Sequence, residues 1–199
     1  MKEIYIYGAS GHGLVVADIA RSNGYENIIF VDDGENDHLF FEDIKNKNHI
    51  PIALGIGSNK IRKILFNKLL DFNFEIVSLI HPSAVISISS EIQKGTVIMP
   101  NVVINAQSKI GKGVILNTSC VIEHENIIED FVHISPGVKC AGNVTVKKNA
   151  HLGIGSSVIQ GIVINENCII GANSTVVKNI SKNKKAYGNP CREVGNINE

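Results

Sequence analysis

The sequence predicts a two-part protein. A small parallel α/β unit occupies residues 1–80, and a parallel β-helix wound from six-residue repeats occupies residues 81–199. Three observations carry this reading. Strand-like and helix-like segments alternate as far as His81. From Ile86 onward an aliphatic residue returns at all but one of the sixth positions, and a mostly small or β-branched side chain stands two residues before.

In the first part, Ile4-Tyr5-Ile6-Tyr7 reads as an apolar strand, followed by the glycine turn Gly8-Ala9-Ser10-Gly11-His12-Gly13. Leu14 to Ser22 reads as a helix with Leu14, Ala17 and Ile19 or Ala20 on its apolar side. A second strand, Ile28-Ile29-Phe30-Val31, ends in Asp32-Asp33-Gly34. Residues 34–49 are polar and read as a loop region with room for one short element. Ile52-Ala53-Leu54 is a third strand. Asn59 to Asp71 is a helix with Ile61, Ile64, Leu65 and Leu69 on its stripe, and Phe74 to Leu79 is expected as a fourth strand.

In the second part, the sixteen positions Ile86, Ile92, Ile98 and so on to Val176 hold fifteen Ile, Leu or Val residues, with Cys140 as the exception. Chance gives such a run about once in a million per register. The positions two residues earlier, such as Ala84, Val102, Val114, Cys120, Val138 and Ala150, are mostly small or β-branched. A helix needs a period of 3.6 and a plain strand a period of two, so neither explains six. A prism of short strands does, because each large residue stacks on its equivalent one coil later. Three six-residue faces make a coil of eighteen, so sixteen hexads amount to a little over five coils.

Composition narrows the class of function. The chain has 199 residues, 44% hydrophobic and 19% charged, with zero formal net charge and a pI near 7.0. This suits a globular protein with no basic field for nucleic acid and no basic amphipathic stretch for a membrane. No signal-peptide pattern or transmembrane-length apolar run occurs, so a cytoplasmic protein is expected. Cys120, Cys140, Cys168 and Cys191 form no C-x-x-C pair and read as reduced thiols, three of them at repeat positions.

The coils are most polar at Asn117-Thr118-Ser119 and Glu123-His124-Glu125-Asn126, where Asn126 breaks the small-apolar rule. A consistent pattern that fails locally often marks a functional site. Eighteen-residue spacing stacks His124 under Gly142 and His133 under His151.

Taken in order, Gly8-Ala9-Ser10-Gly11-His12-Gly13, Ile80-His81-Pro82-Ser83-Ala84, Asn117-Thr118-Ser119, Glu123-His124-Glu125, His133 and Cys140-Ala141-Gly142-Asn143 resemble the hexapeptide-repeat sugar O- and N-acetyltransferases. This group includes sialic acid O-acetyltransferases. The likeness is strongest to the branch that N-acetylates UDP-4-amino sugars in bacillosamine synthesis.

The resemblance implies a Rossmann-like nucleotide-sugar domain followed by a left-handed β-helix, with acetyl-CoA as cosubstrate, no metal, and a homotrimer. Parallel crossovers are usually right-handed, so the left hand is drawn from the resemblance alone. It implies that His124 is the general base, supported by Glu125, with Glu123 as the rival carboxylate, because neighbours on a strand point to opposite faces. It places His133, Gly142, Ile154 and Ala172 along acetyl-CoA, Gly142 as an oxyanion donor. Ser10, Gly11, His12, Asp32, Asp33 and Gly57 are the acceptor-binding candidates, the glycine turn lying at a helix N-terminus that favours phosphate. Gly188-Asn189-Pro190-Cys191-Arg192 resembles the tail that closes over CoA, with Cys191 in place of alanine.

The expected reaction is acetyl transfer to the 4-amino group of a UDP-linked 4-amino-4,6-dideoxy sugar. The alternatives are a dTDP-linked amino sugar, or a hydroxyl acceptor such as sialic acid. A zinc enzyme of carbonic-anhydrase type needs three converging histidines, and the coils hold no H-x-x-x-x-H. A non-catalytic scaffold is the remaining reading. His81 and His151 read as structural, and His38 and His49 as loop residues.

Overall fold

In the computed structural model, which describes residues 2–197, the first part forms a parallel sheet of three strands. They are β1 (Glu3–Tyr7), β2 (Asn27–Val31) and β3 (Ile52–Leu54), in the order β2-β1-β3. Helix α1 (Gly11–Ser22) joins β1 to β2, α2 (Phe41–Ile44) lies in the polar loop, and α3 (Asn59–Asp71) follows β3.

Three expectations need correction here. The segment 74–79 is not a fourth strand; it contributes one isolated bridge, Ile52 to Ile76, and Leu79 already belongs to the coils. Helix α1 starts at Gly11, and Leu14 is 55% exposed while Val16, Ala17, Ile19 and Ala20 are buried. In α3, Ile61 and Ile64 face outward, while Arg62, Phe66 and Leu69 are buried. The cause is partner geometry. The face of α3 that meets the coils is centred on Arg62, whose guanidinium donates to the carbonyls of Ile56, Gly57, Gly113 and Phe131 and to Asn59 Oδ1, at 2.7–3.1 Å. Hydrogen-bond chemistry of this kind is invisible to a hydrophobicity stripe. Burial lowers the Arg62 pKa to about 9, so the side chain remains a cation at neutral pH and binds the α/β unit to the β-helix.

The second part is a left-handed β-helix of about six turns, one strand (Leu79–Ile80) longer at its start than the repeat count suggested. Its first face stacks Leu79–Ile80, Val97–Ile98, Ile115–Leu116, His133–Ile134, His151–Leu152, Ile169–Ile170 and Lys184–Gly188, the last paired antiparallel with Cys191–Asn196. The second face runs from Val85–Ile86 to Thr175–Val176 and the third from Glu91–Ile92 to Val163–Ile164. Strand register is eighteen residues through the hexad coils, for example Ile115 on His133 and His133 on His151, and shortens to sixteen at the last step, Ile169 on Lys185.

The repeat explains this regularity. From Ile98 to Val176 the sixth-residue positions are buried and form the interior stack. Each buried aliphatic side chain stabilises by roughly 1.5–3 kcal/mol. Three residues after each inward side chain the backbone turns through the left-handed region, at Gly95, Asn101, Gln107, Gly113, Ser119, Glu125, Phe131, Gly137, Asn143 and Asn149, and onward to Asn173. Glycine and asparagine tolerate that conformation best. At this position Phe131 has φ 58° and is buried edge-on against Phe66 of α3 at 5.3 Å, a second anchor between the two parts.

Candidate active site

The corner between the second and third faces carries the central pair. His124 lies two residues after the inward Ile122, and Glu125 occupies the left-handed corner with φ 59°. That turn swings the carboxylate round to the imidazole. His124 Nδ1 is 3.0 Å from Glu125 Oε2. Since a carboxylate only accepts, Nδ1 carries the proton and Nε2 is left with a free lone pair. Glu123 faces elsewhere, its Oε2 accepting from Asn105 Nδ2 at 2.8 Å. The corner geometry thus settles which carboxylate touches the histidine.

Two neighbours fix this corner. Asn126 is fully buried, and its amide donates to the carbonyls of Glu123 (2.6 Å) and Ala141 (3.0 Å) while its Oδ1 accepts from Val144 N–H. The polar residue inside the apolar stack is therefore satisfied, and it clamps the turn that presents His124. Above it, a Cβ on Gly142 would stand 2.4 Å from His124 Cε1 and 2.5 Å from Nε2. Only glycine leaves room for the ring at this height, a requirement the spacing alone did not reveal.

His124, Gly142, Ile154 and Ala172 share one position of the repeat, two residues beyond Ile122, Cys140, Leu152 and Ile170. Among the described residues none of their N–H groups donates to a protein acceptor, whereas neighbouring corner amides bond to the coil below, as Asn143 N–H does to the His124 carbonyl. Ile154 and Ala172 stand one coil apart at the corner between the first and second faces and are exposed. They line a different edge of the prism from His124 and Gly142.

The α/β unit forms the second cluster. Gly8 has φ +112°, and side chains at Gly8, Gly13 or Gly55 would strike backbone at 1.9–2.8 Å, so these glycines serve close packing of the turn. Gly11 has nothing within 4 Å of its Cβ position, and Ser10 caps α1 without using its hydroxyl. Ser10 and Gly11 are therefore the open members of the turn.

His12 points toward the coils, its ring 6.3 Å from that of His133, which stacks on His151 at 4.6 Å and 12°. Burial, with Arg62 nearby, lowers the His12 pKa to about 4. Burial, His151 and Arg62 lower that of His133 to about 3. Asn117 Oδ1 accepts from Thr118 N–H, so its amide nitrogen faces His133 Nε2 at 3.3 Å and the His133 proton sits on Nδ1. His12 Nε2 and His133 Nδ1 are buried with no hydrogen-bond partner.

The two aspartates are committed to local structure. Asp32 accepts from Ala9 N–H and Gly34 N–H, and Asp33 accepts from Phe41 N–H and Tyr7 Oη. Asp33 Oδ2 also meets Lys68 Nζ at 3.4 Å, so the lone pairs open to a ligand are those on Asp32 and on Asp33 Oδ1. Gly57 lies at the entry to α3 beside His133, in a cavity of about 930 Å³. Within one chain, then, His124, Glu125 and Gly142 stand together, as do Ser10, Gly11, His12, Gly57 and His133, but the two groups occupy different sides of the prism. The stacking of His133 under His151 follows the eighteen-residue spacing, whereas the clamp role of Asn126 and the anchor role of Arg62 had no signal in the repeat. Among the described residues no three His, Cys, Asp or Glu side chains are arranged to hold a metal ion, and no helix is long and apolar enough to cross a membrane.

An α/β unit joined to a left-handed β-helix, with a histidine–carboxylate pair at a coil corner, has the architecture of the β-helix acyltransferases. Known proteins narrow this further. Residues 3–69 match the PglD N-terminal domain. UDP-N-acetylbacillosamine N-acetyltransferase of Bacillus subtilis (strain 168) is 36% identical over 113 residues, 49% of this chain and 51% of that protein, so the match spans about half the length of this curated relative. The acetyltransferase domain of PglB from Neisseria gonorrhoeae FA1090, solved also with acetyl coenzyme A, is 30% identical with a TM-score of 0.91, over 98% of this chain and 100% of that one. A histidine variant of GDP-perosamine N-acetyl transferase from Caulobacter crescentus, solved with CoA and GDP-perosamine, is 31% identical with a TM-score of 0.93, over 98% of this chain and 97% of that one. The chain belongs to the hexapeptide-repeat sugar acetyltransferase family.

Proposed function

We propose that the protein transfers an acetyl group from acetyl-CoA to the 4-amino group of a UDP-linked 4-amino-4,6-dideoxy sugar. The observation that carries this reading is the His124–Glu125 pair, with Nδ1–H held by the carboxylate and Nε2 free. The relatives' CoA and nucleotide-linked amino sugars supply the substrate class.

The acceptor amine attacks the thioester carbonyl while His124 Nε2 takes the amine proton. Free N–H groups at the corners, Gly142 first among them, donate to the oxyanion. The C–S bond then breaks, an amide remains on the sugar, and the imidazolium returns its proton to the leaving CoA thiolate. Glu125 orients the ring and stabilises its charged form, as the carboxylate of a triad does, with no covalent enzyme intermediate.

The two parts divide the work. Residues 1–80 hold the nucleotide sugar through Ser10, Gly11, His12, Asp32, Asp33 and Gly57. Residues 81–199 hold acetyl-CoA along His133, Ile154 and Ala172. Because these positions and His124 lie at different corners of one prism, the full site forms between neighbouring copies of a homotrimer, in the cytoplasm where acetyl-CoA and nucleotide sugars are made.

The test is CoA release, read by thiol detection, with UDP-, dTDP- and GDP-linked 4-amino sugars. Release with the UDP sugar that disappears in His124→Ala supports the reading. Preference for another nucleotide overturns the UDP assignment. Release only with hydroxyl acceptors such as sialic acid replaces N- by O-acetylation, and absence of CoA binding by a folded protein discards the transferase.

A further inference from the structure

The corner between the third and first faces holds the 930 Å³ cavity, bounded on one side by α3 and on the other by the upper coils. Its volume lies within the usual range for small-molecule sites. None of residues 8–13, Asp32, Asp33, His124, Glu125, Gly142, Ile154 or Ala172 lines it; it shares only Gly57 and His133 with the site described above.

The lining is chemically one-sided. Lys60 and Lys63, one turn apart on α3, face the cavity, no carboxylate lines it, and neither lysine has an ion-pair partner among the described residues. Such a wall favours an anion. Opposite it, Asn149 donates to Asn167 Oδ1 at 3.1 Å and Asn167 to Asn183 Oδ1 at 2.8 Å. The left-handed corners explain why asparagine suits these positions, with φ 60°, 57° and 59°. They do not explain Asn149 Oδ1, which is buried at the foot of this column with no donor. A ligand hydroxyl or amino group would supply one. Besides the neutral polar Ser58, Asn59 and Asn67, the lining offers an apolar patch of Ile64 and Ile169, 57% and 40% exposed, beside the His133–His151 stack.

We propose that this cavity binds a nucleoside phosphate. Its phosphates lie against Lys60 and Lys63, a ribose or base donor meets Asn149 Oδ1, and the base covers Ile169 and His151. The 3′-phosphorylated ADP end of CoA and the nucleoside diphosphate of a sugar nucleotide both offer this chemistry.

The experiment titrates the full chain with adenosine 3′-phosphate 5′-diphosphate, UDP and inorganic pyrophosphate. It compares wild type, the exposed double variant Lys60→Glu/Lys63→Glu, and Asn149→Gly, which keeps the corner conformation. Loss of the two charge-assisted contacts is expected to weaken one nucleotide by at least about tenfold or to remove one bound equivalent per chain. Asn149→Gly is expected to weaken the same nucleotide and to leave pyrophosphate unchanged. The adenine nucleotide as the affected ligand identifies the CoA end, and UDP the sugar nucleotide. Equal affinity and stoichiometry in wild type and the lysine variant overturn the proposal, as does pyrophosphate binding as tightly as either nucleotide. CoA release measured in parallel separates the two readings. Lysine-dependent binding without any acetyl transfer sinks the transferase and leaves this site standing, and transfer with lysine-independent binding does the reverse.

Discussion

The corner at 122–126 and the corner one coil above it, 140–144, are one turn built from two sets of residues. The upper reads Gly142-Asn143-Val144: a small residue, asparagine in the left-handed position at φ 55°, and an apolar side chain inside. The lower reads His124-Glu125-Asn126 and replaces all three. Each replacement serves the imidazole, because Glu125 accepts a hydrogen bond from its Nδ1–H and Asn126 clamps the carbonyls of Glu123 and Ala141. Even the upper glycine is part of the arrangement, since any Cβ there would meet the ring. A repeat that keeps its own rule specifies a frame, and departures from it concentrated at one corner specify chemistry.

The largest break in the comparison removes the ring. His124→Ala makes the lower corner resemble the upper, leaves the coil stack untouched, and is expected to cut kcat at least about a hundredfold with thermal stability nearly unchanged. Steady-state CoA release and a melting curve check both halves. If kcat falls less than tenfold, another group takes the proton.

The second break acts from above. Gly142→Ala is expected to lower kcat about ten- to a hundredfold, because the methyl group displaces the His124 ring from its seat and tilts Nε2. Binding of CoA and a folded melting profile should persist. Wild-type kcat in this variant would mean that the ring's position under Gly142 is not the working one.

A third prediction sharpens the contrast between exposed and enclosed histidines. His12 and His133, pushed down to about 4 and about 3 chiefly by burial, bind fewer protons folded than unfolded, where histidine titrates near 6.5. Stability therefore falls as pH drops below about 6.5, continues to fall toward about pH 3, and each ring contributes a slope of at most about 1.4 kcal/mol per pH unit. Melting temperature is expected to decline between pH 7 and pH 5, above the range where most carboxylates titrate. His133→Gln should flatten that decline, and an unchanged slope would show that His133 takes up its proton equally in the folded and unfolded protein.

Much of this was legible in the sequence, unevenly. The six-residue period exposed the coils because one interior position recurs from Ile86 to Val176 with Cys140 as its single departure from Ile, Leu or Val. Asn59–Asp71 also read correctly as a helix. Its buried face did not, because Arg62 enters the interface as a cation satisfied by main-chain carbonyls, and no apolar pattern announces that. Residues 74–79 looked like a strand because they are apolar, but their burial comes from α3 and the first coils rather than from a ladder. At the site, His124 stood out as a polar break in the coils. The orientation of Glu125 stayed open, since alternation along a strand puts neighbours on opposite faces. The left-handed corner, encoded only by the recurring Asn and Gly three residues after each aliphatic position, is what brings them together.

That corner also yields the smallest effect and the most specific one. Glutamate at φ 59° costs about 1 kcal/mol relative to a residue suited to the left-handed region. Glu125→Asn copies Asn143 into the lower corner and should relieve that strain. The expected result is a melting temperature raised by a few degrees, corresponding to roughly 1 kcal/mol, together with about a tenfold lower kcat because the imidazole loses its carboxylate. The opposite signs matter more than the sizes. A purely structural Glu125 would gain stability and keep its rate. One whose ion pair with His124 held the fold together would lose stability in the variant. Only a residue kept in an unfavourable conformation for its effect on the neighbouring ring gives stability up and rate down.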